Sequence, residues 1–269
     1  MSRSFFERSV QDLLRTADHA VFAEETARIP GLLQGLDARV KLTGFLALIV
    51  ASTISHRVLV IVALFAFALA LLAASRITSL GLFVRVWAIA FAFTTAIALP
   101  ALFLTPGETI ASFAGVEITS QGLRTAAFLI TRVETAATFS LLLVVTTRWA
   151  SLLAALRSFG IPNVFVVVLG MAYRYIFVLL LTASELFDGR RSRRVGPLTG
   201  RAQRQLATTT AGAMLSKSVQ LSDEIYLAMQ ARGFRGEVRV LEQPSLRAAD
   251  WTALTTFLLI AIVAGVAGR

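Results

Sequence analysis

From Leu36 to Ala74 the chain is almost continuously apolar, and the run is broken only near Asp37 to Lys41 and at Ser55-His56-Arg57. One helix over that stretch would be about 58 Å long against a hydrocarbon core of about 30 Å. The pattern therefore predicts two membrane spans with a tight turn at Ser55 to Arg57. A third span is expected from about Leu82 to Leu104, a fourth from about Leu123 to Val145, and a final one from Trp251 to Gly268, with Trp251 suited to the interface. Pro106, Gly107, Glu108 and Glu117 fall between the third and fourth spans, and no Lys or Arg lies between Arg85 and Arg124. That loop is expected to be an external, short connector.

The stretch from 148 to 247 reads differently. Arg148-Trp149 opens a short amphipathic helix to Ser158, and Gly160-Ile161-Pro162 separates it from a long apolar helix over Asn163 to Arg194. By hydropathy the part from Val164 to Thr182 is long enough to span. A crossing would, however, place either Arg148 and Arg157 or the cluster Arg190, Arg191, Arg193 and Arg194 outside. The expectation is a helix lying along the cytoplasmic side, with Arg174 at its centre. Pro197 and Gly200 make the turn into a second long helix. On it Ala211, Met214, Leu215, Leu221, Ile225, Ala228 and Met229 fall within an arc of roughly 140°, while Gln220, Asp223 and Glu224 point away. Gly233 is placed to adopt the left-handed conformation that ends a helix, and Arg232 sets a cation beside the terminal carbonyls. Taken alone, Ala231-Arg232-Gly233 is an ordinary capped terminus. Its second reading is a small-residue tip carrying one guanidinium able to pair bidentately with carboxylates in a partner's cleft.

Composition narrows the class. With 269 residues, 56% of them hydrophobic, 16% charged and a mean hydropathy of +0.73, the chain reads as an all-α polytopic membrane protein with about five transmembrane helices and a cytoplasmic helical hairpin. The organisation expected is an amphipathic cytoplasmic segment over 1–35, transmembrane helices over 36–147, coupling helices over 148–247 and a C-terminal transmembrane helix over 248–269. In the first segment Glu7, Asp12 and Asp18 interrupt any signal-peptide core, while Phe5, Phe6, Val10, Leu13 and Leu14 recur at helical spacing. Such a helix lies on the bilayer, on a partner, or over the first span. The net charge of +10 fits a basic cytoplasmic face better than a nucleic-acid surface, since no basic stripe carries interleaved aromatics.

The chemistry-bearing residues are few. There is no cysteine, and only His19 and His56 could offer imidazole, so no metal site is expected in the chain. No Gly-Lys pair occurs, which excludes a Walker-type phosphate loop, and ATP would have to be bound by another chain. Arg132 and Glu134 lie inside the fourth span. Two residues apart on a helix they point to different sides, so each needs its own partner, in a neighbouring span, another subunit or a wet cavity.

Several stretches together resemble the transmembrane T component of energy-coupling-factor (ECF) transporters, in its CbiQ-like branch. They are Gly160-Ile161-Pro162, Met171-Ala172-Tyr173-Arg174-Tyr175-Ile176-Phe177, Arg190-Arg191-Ser192-Arg193, and Ala228-Met229-Gln230-Ala231-Arg232-Gly233-Phe234. Leu36-Asp37-Ala38-Arg39-Val40-Lys41-Leu42 is similar to the family's Leu-Asp-Pro-Arg-Val-Lys-Leu, with Ala38 in the proline position. The resemblance implies two coupling helices ending in X-Arg-X motifs, which map to Ser192-Arg193-Arg194 and Ala231-Arg232-Gly233. Arg191 and Arg194 remain alternatives for the first contact. It further implies two cytoplasmic ABC ATPase subunits, a membrane-embedded substrate-binding S component, a surrounding lipid bilayer in a prokaryotic inner membrane, and uptake of cobalt or nickel, or of a vitamin. Outside that family, a secondary transporter lined by Arg132 and Glu134 and a membrane enzyme are the rival classes.

Overall fold

Asp37 takes an extended conformation (φ −61°, ψ 141°), and its side chain accepts a hydrogen bond from the Arg39 backbone N–H at 2.8 Å. This N-cap starts α1 (Ala38–Ile54). The computed structural model describes residues 31–75, 80–104, 109–113, 116–192, 200–234 and 246–269. The amphipathic segment expected before residue 31, with His19, lies outside them, as do Arg193 and Arg194.

Ser55 returns the backbone to an extended conformation, and α2 (Val58–Ala74) starts three residues later. The turn falls where the polar trio interrupts the apolar run. α3 (Leu80–Leu104) contains Pro100 in its last turns. The short connector expected between α3 and α4 contains an antiparallel hairpin, β1 (Thr109–Phe113) and β2 (Val116–Thr119), with Thr109 opposite Thr119 and Phe113 opposite Val116. Closing the backbone hydrogen bonds of a loop beside the bilayer is the physical gain. α4 (Ser120–Thr146) is capped by the Thr119 side chain, which accepts from Gly122 N–H at 3.1 Å. There follow α5 (Trp149–Ser158), α6 (Asn163–Ser192), α7 (Gly200–Ala231) and α8 (Ala248–Ala267).

The described residues fall into two compact units, one of 31–155 with 246–269 and one of 156–234. In the first, α1 packs on α8 and α4, and α3 and α2 pack on α4. The centre is aromatic: the Phe45 ring lies 5.7 Å from Phe139 and 5.6 Å from Phe257, with Phe67 6.4 Å from Phe257. Phe45, Phe139, Leu48 and Leu142 are wholly buried. α1 and α8 approach closely because Gly44 has no side chain; a Cβ there would overlap the Phe257 ring.

Several polar side chains inside this unit bond to their own helix, as a lipid surrounding favours. Thr135, Thr138 and Thr146 each donate to the carbonyl four residues back, at 2.7, 2.6 and 2.7 Å. Trp87 Nε1 donates to Thr138 Oγ1 at 3.0 Å and sets the register of α3 against α4.

Four described helical segments are long and apolar enough to cross a bilayer: Gly81–Pro100, Ser120–Thr146, Asn163–Leu186 and Ala248–Ala267, with Val58–Ala74 a shorter apolar helix. The chain is an all-α polytopic membrane protein with one short β-hairpin added.

Candidate functional site

α6 follows Pro162, whose carbonyl accepts from Phe165 N–H at 3.1 Å, and Gly160 before it has φ 86°. The chain thus turns sharply into a 30-residue helix. Much of its apolar surface is open: Val164, Phe165, Val168, Leu169, Ile176 and Leu181 are all exposed. Arg174 is exposed too, its guanidinium 5.8 Å from the centre of the Tyr175 ring. Tyr173 and Phe177 meet edge to face at 5.2 Å. α6 ends on exposed Ser192, whose hydroxyl donates to Asp188 O at 2.9 Å. Of Ser192-Arg193-Arg194 only this first residue is described.

α7 packs along α6. Thr210 is buried, and Met214, Leu221, Ile225 and Met229 are half-buried on the stripe that continues from it. Ala211, Leu215 and Ala228, expected on the same apolar face, are exposed, Leu215 by 70%. A single neighbouring helix covers a narrow stripe rather than a wide arc, which leaves Leu215, Val219 and Tyr226 uncovered.

The end of α7 is tightly specified. Gly233 has φ 81°, its N–H donates to Gln230 O at 2.9 Å, and Phe234 N–H donates to Met229 O at 3.0 Å. These are the paired bonds of a Schellman cap, and the left-handed glycine they need is the one the sequence offers. Arg232, at the last position before that turn, is exposed between Ala231 and Gly233, which are exposed as well. The arrangement holds one guanidinium on a fixed small-residue tip.

Arg132 and Glu134 belong to the other unit. Arg132 Nη2 donates to Ser55 O at 2.8 Å, and its guanidinium lies 4.3 Å from the centre of the Phe128 ring. It ties α4 to the α1–α2 turn. Both carboxyl oxygens of Glu134 are buried without a hydrogen-bond partner among the described residues. The two side chains therefore do not pair with each other. Among the described residues no group of three or more His, Asp or Glu could hold a metal ion.

Sequence reading did not single out Asp250, and it treated Lys41 only as part of a resembling stretch. Asp250 is buried; its Oδ1 accepts from Asp37 N–H at 2.9 Å and its Oδ2 from Arg247 N–H at 2.8 Å. Lys41 is buried, and its Nζ donates to Thr146 O at 2.7 Å. An acidic residue in the first turn of a helix ahead of an apolar run is the signal that could have marked Asp250.

Comparison with known proteins places these features in context. A family model described as CbiQ, cobalt transport protein, matches residues 31–243. The uncharacterized protein MJ1571 of Methanocaldococcus jannaschii is 30% identical over 268 residues, which is 98% of this chain and 90% of that protein. The cobalt transport protein CbiQ of Rhodobacter capsulatus is 29% identical over 147 residues, 53% of this chain and 60% of that protein.

Proposed function

The chain belongs to the CbiQ cobalt transport protein family, and from that premise we propose that it is the coupling subunit of an ECF-type importer, joining two cytoplasmic ABC ATPases to a membrane-embedded substrate-binding subunit. The cargo in this reading is cobalt, handled as substrate by the assembled complex. The chain itself works without an active site, and ATP is bound by the partner subunits.

The observation that carries the proposal is the tip of α7, where Arg232 stands exposed on a Schellman-capped end flanked by Ala231 and Gly233. A fixed guanidinium on a small-residue tip fits a cleft lined with carboxylates and pairs with them in a defined geometry. Arg193, next to Ser192 and Arg194, is the corresponding residue of the first coupling helix. Docked on two ATPases whose separation changes with nucleotide state, the hairpin would favour different positions in each state, which is the differential contact that coupling requires.

The geometry of the membrane unit supports a hairpin on one side of the bilayer. Lys41 bonds to Thr146 at the end of α4, and Asp37 bonds to Asp250 at the start of α8. At the other end of the same helices, His56 N–H donates to Gly268 O at 2.7 Å. The chain thus leaves and re-enters this unit on one face, so the part between contains an even number of crossings. α7 carries Arg201, Arg204, Lys217, Asp223 and Glu224 and is not among the segments apolar enough to span. Residues 235–245 include Arg235, Glu237, Arg239 and Glu242. Among the described residues no second span lies between α6 and α8 to bring the chain back, which supports reading α6 as a helix that does not cross, in spite of its length. Arg39, Arg148 and Arg157 lie close in sequence to this face, which favours reading it as the cytoplasmic one.

The test is charge reversal at the tip. Arg232→Glu is expected to abolish copurification of the ATPase subunits, or their stimulation by substrate, while the chain still inserts. Truncating one side of a desolvated charge pair costs about 2–5 kcal/mol, and reversal costs more. Unchanged ATP-linked cobalt uptake by that variant would remove the proposal's foundation.

A further inference from the structure

The two sites at which the coupling segment joins the membrane unit are both secured to one turn of α1. On the departing side, at the end of the last long helix before the unit ends at residue 155, the final carbonyl of α4, Thr146 O, accepts from Lys41 Nζ. Where it returns, Asp250 Oδ1 accepts from the N–H of Asp37, the cap of α1, while Oδ2 accepts from Arg247 N–H at the cap of α8. Lys41 is 2% exposed and Asp250 3%. One carboxylate therefore lies at the N-termini of two parallel helices, and one ammonium at the C-terminus of a third, so each charge meets the helix end of opposite sign.

Charges buried this deeply are an expensive way to fill space. Apolar residues of similar volume stabilise a core at least as well, and the best-attested use of a buried charge is to fix one register among several. Here the register fixed is that of α1 relative to α4 and α8. The apolar contacts among these helices, such as Phe45 with Phe139 and Phe257, would tolerate small axial slides; a bond of 2.7 Å to one carbonyl does not.

We propose that Lys41 and Asp250 form a clasp that holds both attachment points of the coupling segment on the first helix, and that they act as positioning residues through which movement of that segment is delivered to the membrane unit as a whole. The inference rests on the coupling reading above and gives that reading its point of mechanical purchase. Without the clasp, α4 and α8 would yield separately when the hairpin is pushed, and ATP would be hydrolysed with less transport.

The experiment uses the full complex, purified through this chain and reconstituted in vesicles, with cobalt uptake and ATP hydrolysis measured on the same preparation. Lys41→Met and Asp250→Asn should each lower cobalt taken up per ATP hydrolysed roughly tenfold, within the usual range of coupling between sites. Copurified ATPase and its hydrolysis rate should stay unchanged, and Lys41→Arg should recover most of the ratio. The chain has no cysteine, so the clasp can also be restored covalently. Arg39→Cys and Ala249→Cys in the Asp250→Asn background, bridged by a flexible bis-maleimide, should return the ratio toward the starting value. An unaltered ratio in both variants overturns the proposal, and so does a loss of assembly that the bridge does not reverse. If Arg232→Glu instead leaves uptake and ATP hydrolysis linked, the coupling reading itself has failed, whatever the clasp variants do.

Discussion

The two units of this protein differ in how much apolar surface their helices bury against one another. In the membrane unit, Phe45, Phe139, Leu48 and Leu142 disappear entirely into contacts among α1, α4 and α8, and the threonine hydroxyls along α4 bond to their own helix. In the other unit, α6 and α7 touch along one stripe and leave Val164, Phe165, Leu181, Leu215 and Leu227 open. The first unit has a core of its own, and its outer face, with Leu59, Ile89, Phe93 and Val266, is open as well. The second is as apolar in places but has no core of its own, so its open faces require lipid or other proteins. Substitutions that read stability in one unit should read assembly in the other.

The sharpest way to break the comparison is to ask which parts see the outside. In cells, single cysteines at positions 112 and 269 should react with an impermeant thiol reagent almost fully, and cysteines at 200 and 240 only at background. Labelling at 200 would move α6 across the bilayer and undo the contrast. Next in size, Phe139→Ala should lower the unfolding free energy of the detergent-solubilised chain by about 3–5 kcal/mol, the cost of a large void in a packed core. Arg132→Met removes the bond to Ser55 O and should cost about 1.5–3 kcal/mol, as for hydrogen bonds to charged groups. Thr138→Val, which loses the bond from Trp87, should cost about 0.6 kcal/mol, typical of polar contacts between membrane helices. At the low end, Leu215→Ala should leave the isolated chain's unfolding within about 0.5 kcal/mol of the starting value. Its effect should appear instead in weaker retention of partner subunits during purification. A clear stability loss at Leu215 would mean that the hairpin owns more core than its exposure indicates.

Much of this was legible before any coordinates. The apolar run from 36 to 74 broken by three polar residues located the α1–α2 turn, since no helix of that length fits a bilayer and Ser55-His56-Arg57 is the break nearest its middle. The Arg232-Gly233 pair announced a left-handed cap, and Gly233 supplies it with φ 81°. These are local matters, decided by spacing and by the conformational range of single residues. The β-hairpin escaped because β1 and β2 lack a turn signal distinct from a loop. The width of the packed stripe on α7 also escaped, because periodicity gives the apolar arc but not how many neighbours will cover it.

What the sequence by itself determined was therefore which segments are helical, where they turn and which of them are apolar enough for lipid. Only the tertiary structure decided which charges are used inside. Asp250 finds Asp37 across 213 positions and Lys41 finds Thr146 across 105, and no local pattern specifies either meeting. The physical reason is that apolar packing selects neighbours by shape over whole helices, and a buried ion is then satisfied by whichever helix end that packing brings to it. Arg132 shows the same dependence. Its need for a partner followed from its place in a span, but that the partner is a backbone carbonyl at the α1–α2 turn followed from how α4 lies against the first two helices.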